Sequence, residues 1–87
     1  MLEDIKKMQG INNNEFDSII ESYIKAAKLD LEMCGIVKSK IFLQDKLIYS
    51  AIVSYVKSFV DVDNSELFAN AYALQKDALR HIKEYIE

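Results

Sequence analysis

The chain has 87 residues, of which 51% are hydrophobic and 29% charged, and its formal net charge is −3. This length predicts a single domain over residues 1–87, and the composition is typical of a folded chain rather than a disordered one. The negative charge argues against a protein whose main task is to bind a phosphate backbone, and no apolar run approaches the roughly 20 residues of a membrane-spanning helix.

Two amphipathic helices are predicted in the first half of the chain. The first covers residues 2–9 and is ended by Gly10. The second covers residues 15–34, where apolar residues recur in steps of three and four. The asparagines at 13–14 are expected to cap its N-terminus, and Gly35 is expected to end it in a left-handed conformation.

The second half of the chain predicts a loop and two further helices. Residues 36–44 are expected to form the loop, with a short extended piece at 40–43. The third helix covers residues 45–60 and is apolar nearly all round, so it either lies at the centre of the core or packs against a neighbouring subunit. The fourth helix covers residues 65–86.

The predicted fold is therefore all-α, a small bundle of three main helices plus a short N-terminal one. The absence of proline supports it, because nothing breaks a helix inside these segments. The expected core consists of apolar residues on the inner helix faces: Ile20, Tyr23, Ile24, Ala27, Leu31, Ile48, Ile52, Tyr55, Tyr72 and Leu79.

No residue pattern in the sequence indicates catalysis or a cofactor. Cys34 lies on the apolar face of the second helix, and the single histidine, His81, is far from it in sequence. The acidic turn at 61–66 lacks the glycine and glutamate that a calcium loop requires at its sixth and twelfth positions. We therefore expect a protein that is not an enzyme and holds no catalytic residue, metal or cofactor.

Two sets of residues are candidates for contacts with other molecules. The third helix carries apolar side chains outside its main face, at Tyr49, Val53 and Val60, which predict a subunit interface. A local excess of positive charge predicts a loop that faces an acidic partner or passing DNA; its residues are Lys38, Lys40 and Lys46.

The order and spacing of several sequence blocks resemble the phage head–tail connector family, also described as head-completion or DNA-packaging proteins. The resemblance covers nearly the whole chain, with a short N-terminal helix, an asparagine-rich turn and three helical blocks. The blocks are MLEDIK at 1–6, FDSII at 16–20, IKAAKLDL at 24–31, CGI at 34–36, LIYSAIVSYVK at 47–57 and FANAYALQK at 68–76.

The resemblance implies a structural protein of the virion, made in the cytoplasm of the bacterial host and located at the head–tail junction of a phage or prophage. The resemblance to this family further implies a ring of about a dozen copies that docks beneath the portal protein. Such a ring extends the channel for double-stranded DNA and offers a platform to the next head-completion or tail-joining protein. The implied partners are therefore the protein itself, the portal, that downstream protein and DNA that passes without sequence-specific binding, with no membrane.

A ring needs one face of each copy to contact a different face of the next. We expect the second face to come from the outer sides of the second or fourth helix, with the segment 38–46 near an acidic neighbour. Two alternatives remain at this point: a small helical adaptor that binds a partner helix, and a regulatory DNA-binding domain. The single arginine, Arg80, makes the DNA-binding alternative the weaker one.

Overall fold

The computed structural model describes residues 1–86, and all regular structure in this range is helical. Three main helices (α2, α4 and α5) and a short N-terminal helix confirm the predicted all-α class, and two further short helices are present. The helices are α1 Leu2–Met8, α2 Asp17–Met33, α3 Lys38–Leu43, α4 Lys46–Val60, α5 Ser65–Leu79 and α6 Lys83–Ile86, with a 3-10 turn at Val62–Asn64 before α5.

The apolar helix α4 lies at the centre of the bundle. It packs against α2 on one side and α5 on another, and Ile48, Ile52 and Val56 have no exposed surface. Asp45 caps its N-terminus by accepting a 3.1 Å hydrogen bond from the Ile48 N–H. The nearly continuous apolar surface of α4 is thus explained by neighbours on several sides.

The core agrees with the prediction at eight of its ten residues; Tyr23 and Tyr55 are only partly buried against it. Those two rings join an aromatic cluster in which Tyr23 stacks on Phe59 with a centroid distance of 4.7 Å. Further core residues come from α1, from α4 and from segments that the sequence pattern left outside the core: Ile5, Ile36, Ile41, Ala51, Val56 and Tyr85.

The predicted loop at 36–44, with an extended piece at 40–43, is wrong: the segment contains helix α3. Val37 precedes this helix in an extended conformation, and Ile41 turns into the core. Gln44 then adopts a left-handed conformation with φ +51° and ends the helix. Burial of Ile41 therefore anchors a helix of six residues, which is too short to show a periodic pattern.

The predicted fourth helix at 65–86 is also interrupted, because residues 80–82 form a turn between α5 and α6. After this turn Tyr85 returns to the bundle. Its carbonyl accepts a 2.8 Å hydrogen bond from the Val37 N–H, and its hydroxyl donates to the Asp45 carboxylate. Tyr85 is buried as a result, whereas Ile86, which a continuous helix would place on the apolar stripe, is exposed.

The start of α2 differs from its prediction as well. Asn13 accepts a hydrogen bond from the Glu15 N–H inside the preceding turn, and Asn14 accepts a 2.8 Å bond from the ammonium of Lys6. Lys6 is buried and also lies 2.9 Å from the Asp17 carboxylate. The asparagines therefore shape the turn and hold α1 against α2 instead of capping α2.

The two glycines end their helices as predicted. Gly10 has φ +68° and Gly35 has φ +106°, values that side chains with a Cβ disfavour. Each glycine redirects the chain directly after a helix, which sets the positions of the turn at 11–16 and of α3.

Candidate partner-binding surfaces

A groove of about 430 Å³ lies between α2 and α3. Leu29 and Ile41 give it an apolar lining, and Phe42 stands beside it with 84% of its surface exposed. The rest of its lining is charged: Lys25, Lys28, Glu32 and Lys38. An exposed aromatic ring beside an open apolar groove is typical of a surface that another chain covers.

The groove is positively charged overall. The Lys38 ammonium lies 3.2 Å from the Glu32 carboxylate, so these two charges offset each other. Lys25, about one helical turn before Leu29, and Lys28, directly before it, form no ion pair within residues 1–86. The groove therefore offers an apolar floor with two lysines on its α2 side.

A smaller apolar pocket of about 240 Å³ lies near the start of α2 and the end of α4. Its lining includes Phe16 and Ile19, each about half exposed, and the predicted interface residue Val60. All residues that line it are apolar: Ile11, Phe16, Ile19, Ile20 and Val60. This pocket suits an apolar side chain of a partner.

The other two predicted interface residues are partly covered by the chain itself. The Tyr49 hydroxyl donates a 2.5 Å hydrogen bond to the Asp4 carboxylate of α1, which raises the pKa of Tyr49. Val53 is half-buried against the core. The three predicted interface residues are thus all accessible in part, and Val60 borders the apolar pocket at the start of α2.

The three predicted partner-facing lysines lie on helices rather than in a loop. Lys38 and Lys40 belong to α3, and Lys46 is the exposed first residue of α4. The ammonium of Lys40 lies 5.6 Å from the centroid of the Tyr85 ring. Two of the three lysines therefore have partners within the chain, and the patch is only weakly basic.

The outer face of α5 carries an apolar ridge with an acidic edge. Leu67 and Leu74 are 62% and 73% exposed, and their spacing of seven residues puts them on the same side of the helix. Glu66 and Asp77 are exposed and lie eleven residues apart, which places both carboxylates along one flank of the leucine ridge.

A polar cluster fixes α5 against α2. The Tyr72 hydroxyl donates a 2.5 Å hydrogen bond to the Asp30 carboxylate, and the Lys76 ammonium lies 3.2 Å from the same oxygen. Burial opposes ionisation of Asp30, but the hydrogen bonds from Tyr72 and Lys76 outweigh it and lower its pKa. Burial and the Asp30 carboxylate raise the pKa of Tyr72.

A family model described as phage connector protein matches residues 1–86. The chain belongs to this family. No match was found among curated proteins or among solved structures. The family match and the helical structure together confirm the resemblance to phage head–tail connectors seen in the sequence.

The structure gives this connector no cluster of three or more histidine, cysteine, aspartate or glutamate residues suited to a metal, within the part of the chain that is described. Cys34 is half-buried and donates a 3.2 Å hydrogen bond to the Leu31 carbonyl. His81 is exposed, with Nδ1 2.8 Å from the Asp77 carbonyl oxygen. None of the helices in residues 1–86 has the length and apolar character to cross a membrane.

The α2–α3 groove is the feature of the connector that sequence reasoning missed. The signal was present in Leu29 and Met33, which stand four residues apart and outside the buried face of α2. Phe42 was a second signal, but a segment expected to be a loop gave no reason to assign its side chain to a surface.

Proposed function

We propose that the connector is the structural subunit of a ring of about a dozen copies that docks beneath the phage portal, extends the DNA channel and completes the head for tail attachment. The family match over residues 1–86 is the observation that carries this proposal. In this proposal each copy is one connector domain over residues 1–87, made in the bacterial cytoplasm and incorporated into the virion.

The distribution of apolar surface supports assembly with other protein chains. Large apolar side chains stay exposed on all three main helices, whereas monomeric proteins rarely leave extended apolar patches uncovered. The exposed large hydrophobic residues are Met8, Phe16, Ile19, Leu29, Met33, Phe42, Leu43, Leu47, Phe59, Val62, Leu67, Leu74 and Ile86. A subunit with contacts to two copies, the portal and the next head-completion protein would cover much of this surface.

Charge supports a channel through which DNA slides. The connector has a formal net charge of −3, and a net negative charge disfavours tight binding to DNA phosphates. We propose that Lys38, Lys40 and Lys46 face an acidic partner or the passing DNA. Because two of them already contact groups within the chain, their contact with DNA would be weak and transient.

Tyr49, Val53 and Val60 remain our proposed subunit interface. Aspartate at position 49 would stand beside Asp4, and aspartate at 53 would enter a half-buried site, so both changes would disturb the packing of the subunit. Val60→Asp is the better test, because Val60 borders an open apolar pocket. Lys83→Asp, at an exposed position of α6, is the matched control.

Electron microscopy of the connector mixed with the portal protein of the same phage tests the proposed function. We expect an added layer of density beneath the portal with the same or nearly the same rotational order. Val60→Asp should remove this layer and Lys83→Asp should keep it. A wild-type connector that never binds the portal contradicts the proposal, and a layer that survives Val60→Asp removes Val60 from the interface.

A further inference from the structure

The groove between α2 and α3 and the ridge on α5 are complementary in shape and in charge. The groove presents Leu29 and Phe42 with Lys25 and Lys28 on one side. The ridge presents Leu67 and Leu74, about 10 Å apart along the helix axis, with carboxylates on one flank only. An apolar ridge with one acidic edge fits an apolar groove with one basic edge.

The two surfaces do not meet within one chain. Both α2 and α5 pack against α4, and the bond from Tyr72 to Asp30 holds their inner sides together. Their outer faces therefore point in different directions, and the groove of one copy is available only to a ridge from another molecule. The same chain carries both surfaces, so a second copy is the occupant that the charges favour.

We propose that the α5 ridge of one connector lies in the α2–α3 groove of the next, with Asp77, which follows Leu74 by about one helical turn, facing Lys25 and Lys28. This inference rests on the proposed ring function and adds a second contact between copies to the proposed interface at Tyr49, Val53 and Val60. The contact joins two different faces, so each copy keeps one groove and one ridge for its two neighbours. Repetition of such a contact builds a ring when the rotation between copies closes.

The ion pair between Lys38 and Glu32 reduces the negative charge that the groove presents to a neighbouring copy. Because Glu32 is already neutralised by Lys38, it does not repel an incoming carboxylate as strongly as an unpaired glutamate would. On α5, Lys76 is similarly held by Asp30 at 3.2 Å and is turned toward α2. Both internal ion pairs thus leave the uncompensated lysines on the groove and the uncompensated carboxylates on the ridge.

Site-directed cross-linking of mixed variants tests the pairing. In a Cys34→Ser background, Leu29→Cys marks the groove and Leu74→Cys marks the ridge; a short bismaleimide links cysteines that come close. We expect covalent dimers when the two variants are mixed and almost none when either is treated alone. Leu74→Cys mixed with Met8→Cys, an exposed residue of α1, is the control and should give no excess of dimers.

Charge reversal provides the second arm. Lys25→Glu with Lys28→Glu, placed in the Leu29→Cys chain, should reduce the rate of cross-linking about tenfold or more. Asp77→Lys in the Leu74→Cys chain should then raise the rate again. Lys7→Glu with Lys83→Glu, at exposed positions away from the groove, should leave the rate nearly unchanged, and circular dichroism should show the same helix content in all variants.

The outcomes separate this pairing from the ring function. The reactions are run on the free connector at high concentration and on the connector bound to the portal. Cross-linking of Leu29→Cys to itself, or a charge reversal without rescue, overturns the pairing. An added layer on the portal without groove–ridge cross-links overturns the pairing and leaves the ring function standing. Groove–ridge cross-links in free protein that never binds the portal support the pairing and contradict the portal-docked function.

Discussion

The Tyr72 hydroxyl lies 2.5 Å from the carboxylate of Asp30, a residue 42 positions earlier in the chain. This bond joins α5 to α2 at a place where both helices also pack on α4. The Tyr72 ring meets the Tyr55 ring edge-on with a centroid distance of 5.1 Å, so the hydroxyl is held by packing as well as by its acceptor. The bond therefore fixes the orientation of the α5 outer face relative to the α2 outer face.

Tyr72→Phe should lower the free energy of unfolding by about 1–2 kcal/mol, because a hydrogen bond to a charged acceptor is lost while the ring stays in place. Urea titration followed by circular dichroism measures this change. Tyr55→Phe is the matched control: it removes a hydroxyl that makes no hydrogen bond within residues 1–86, and it should change stability by less than about 0.5 kcal/mol. Equal effects of the two variants would contradict a special role for the Tyr72–Asp30 bond.

Alkaline unfolding should depend on Tyr85. The hydrogen bond to Asp45 is the main cause that raises the pKa of Tyr85 to about 12 in the folded protein, against about 10 when unfolded. The stabilisation that this hydrogen bond gives to the folded protein is fully present below pH 10 and is lost as the pH rises toward 12. The melting temperature of wild type should fall across this window, and Tyr85→Phe should reduce the fall. Identical pH profiles would show that Tyr85 does not contribute.

Ile52→Ala should lower the free energy of unfolding by about 2–5 kcal/mol, because Ile52 is fully buried on the central helix and the truncation leaves a cavity. Chemical denaturation measures the loss. Leu67→Ala serves as the exposed control and should stay within about 0.5 kcal/mol of wild type in the isolated subunit. A loss below about half a kcal/mol for Ile52→Ala would place this side chain on the surface.

Lys6→Ala should destabilise the subunit by about 1–3 kcal/mol, because it removes a buried ammonium and leaves the Asp17 carboxylate and the Asn14 side chain without this partner. Lys7→Ala, the exposed neighbour, should have little effect. The difference in urea midpoint between the two variants measures the contribution. Equal midpoints would mean that the Lys6 contacts are compensated by water.

The long elements could be predicted from the sequence because each carries its own periodic pattern. The buried face of α2 and the fully apolar face of α4 are visible as steps of three and four residues, and Gly35 marks one end. The eight correctly predicted core residues all lie on the three main helices. Local sequence was sufficient there because the pattern extends over several helical turns.

The short elements could not be predicted because distant contacts determine them. α3 has six residues, and its one buried side chain, Ile41, gives no period. The turn at 80–82 contains neither glycine nor proline, and the bonds of Tyr85 to Val37 and Asp45 hold the chain beyond it. The candidate binding surfaces depend on these same elements, so the α2–α3 groove could not be inferred before α3 was placed.

The return of Tyr85 to the bundle has a consequence for local opening. Its carbonyl holds the N–H that precedes α3, and its hydroxyl holds the residue that caps α4, so α6 secures both ends of α3. A six-residue helix is not stable by itself, and release of α6 would therefore free α3 and erase the groove without unfolding the three main helices. Residues 37–44 and 83–86 should exchange their amide hydrogens as one cooperative unit, faster than α4. In an assembled ring, a neighbouring copy bound in the α2–α3 groove would slow this exchange. The amide exchange of α6 would then report whether the groove is occupied, although α6 does not line it.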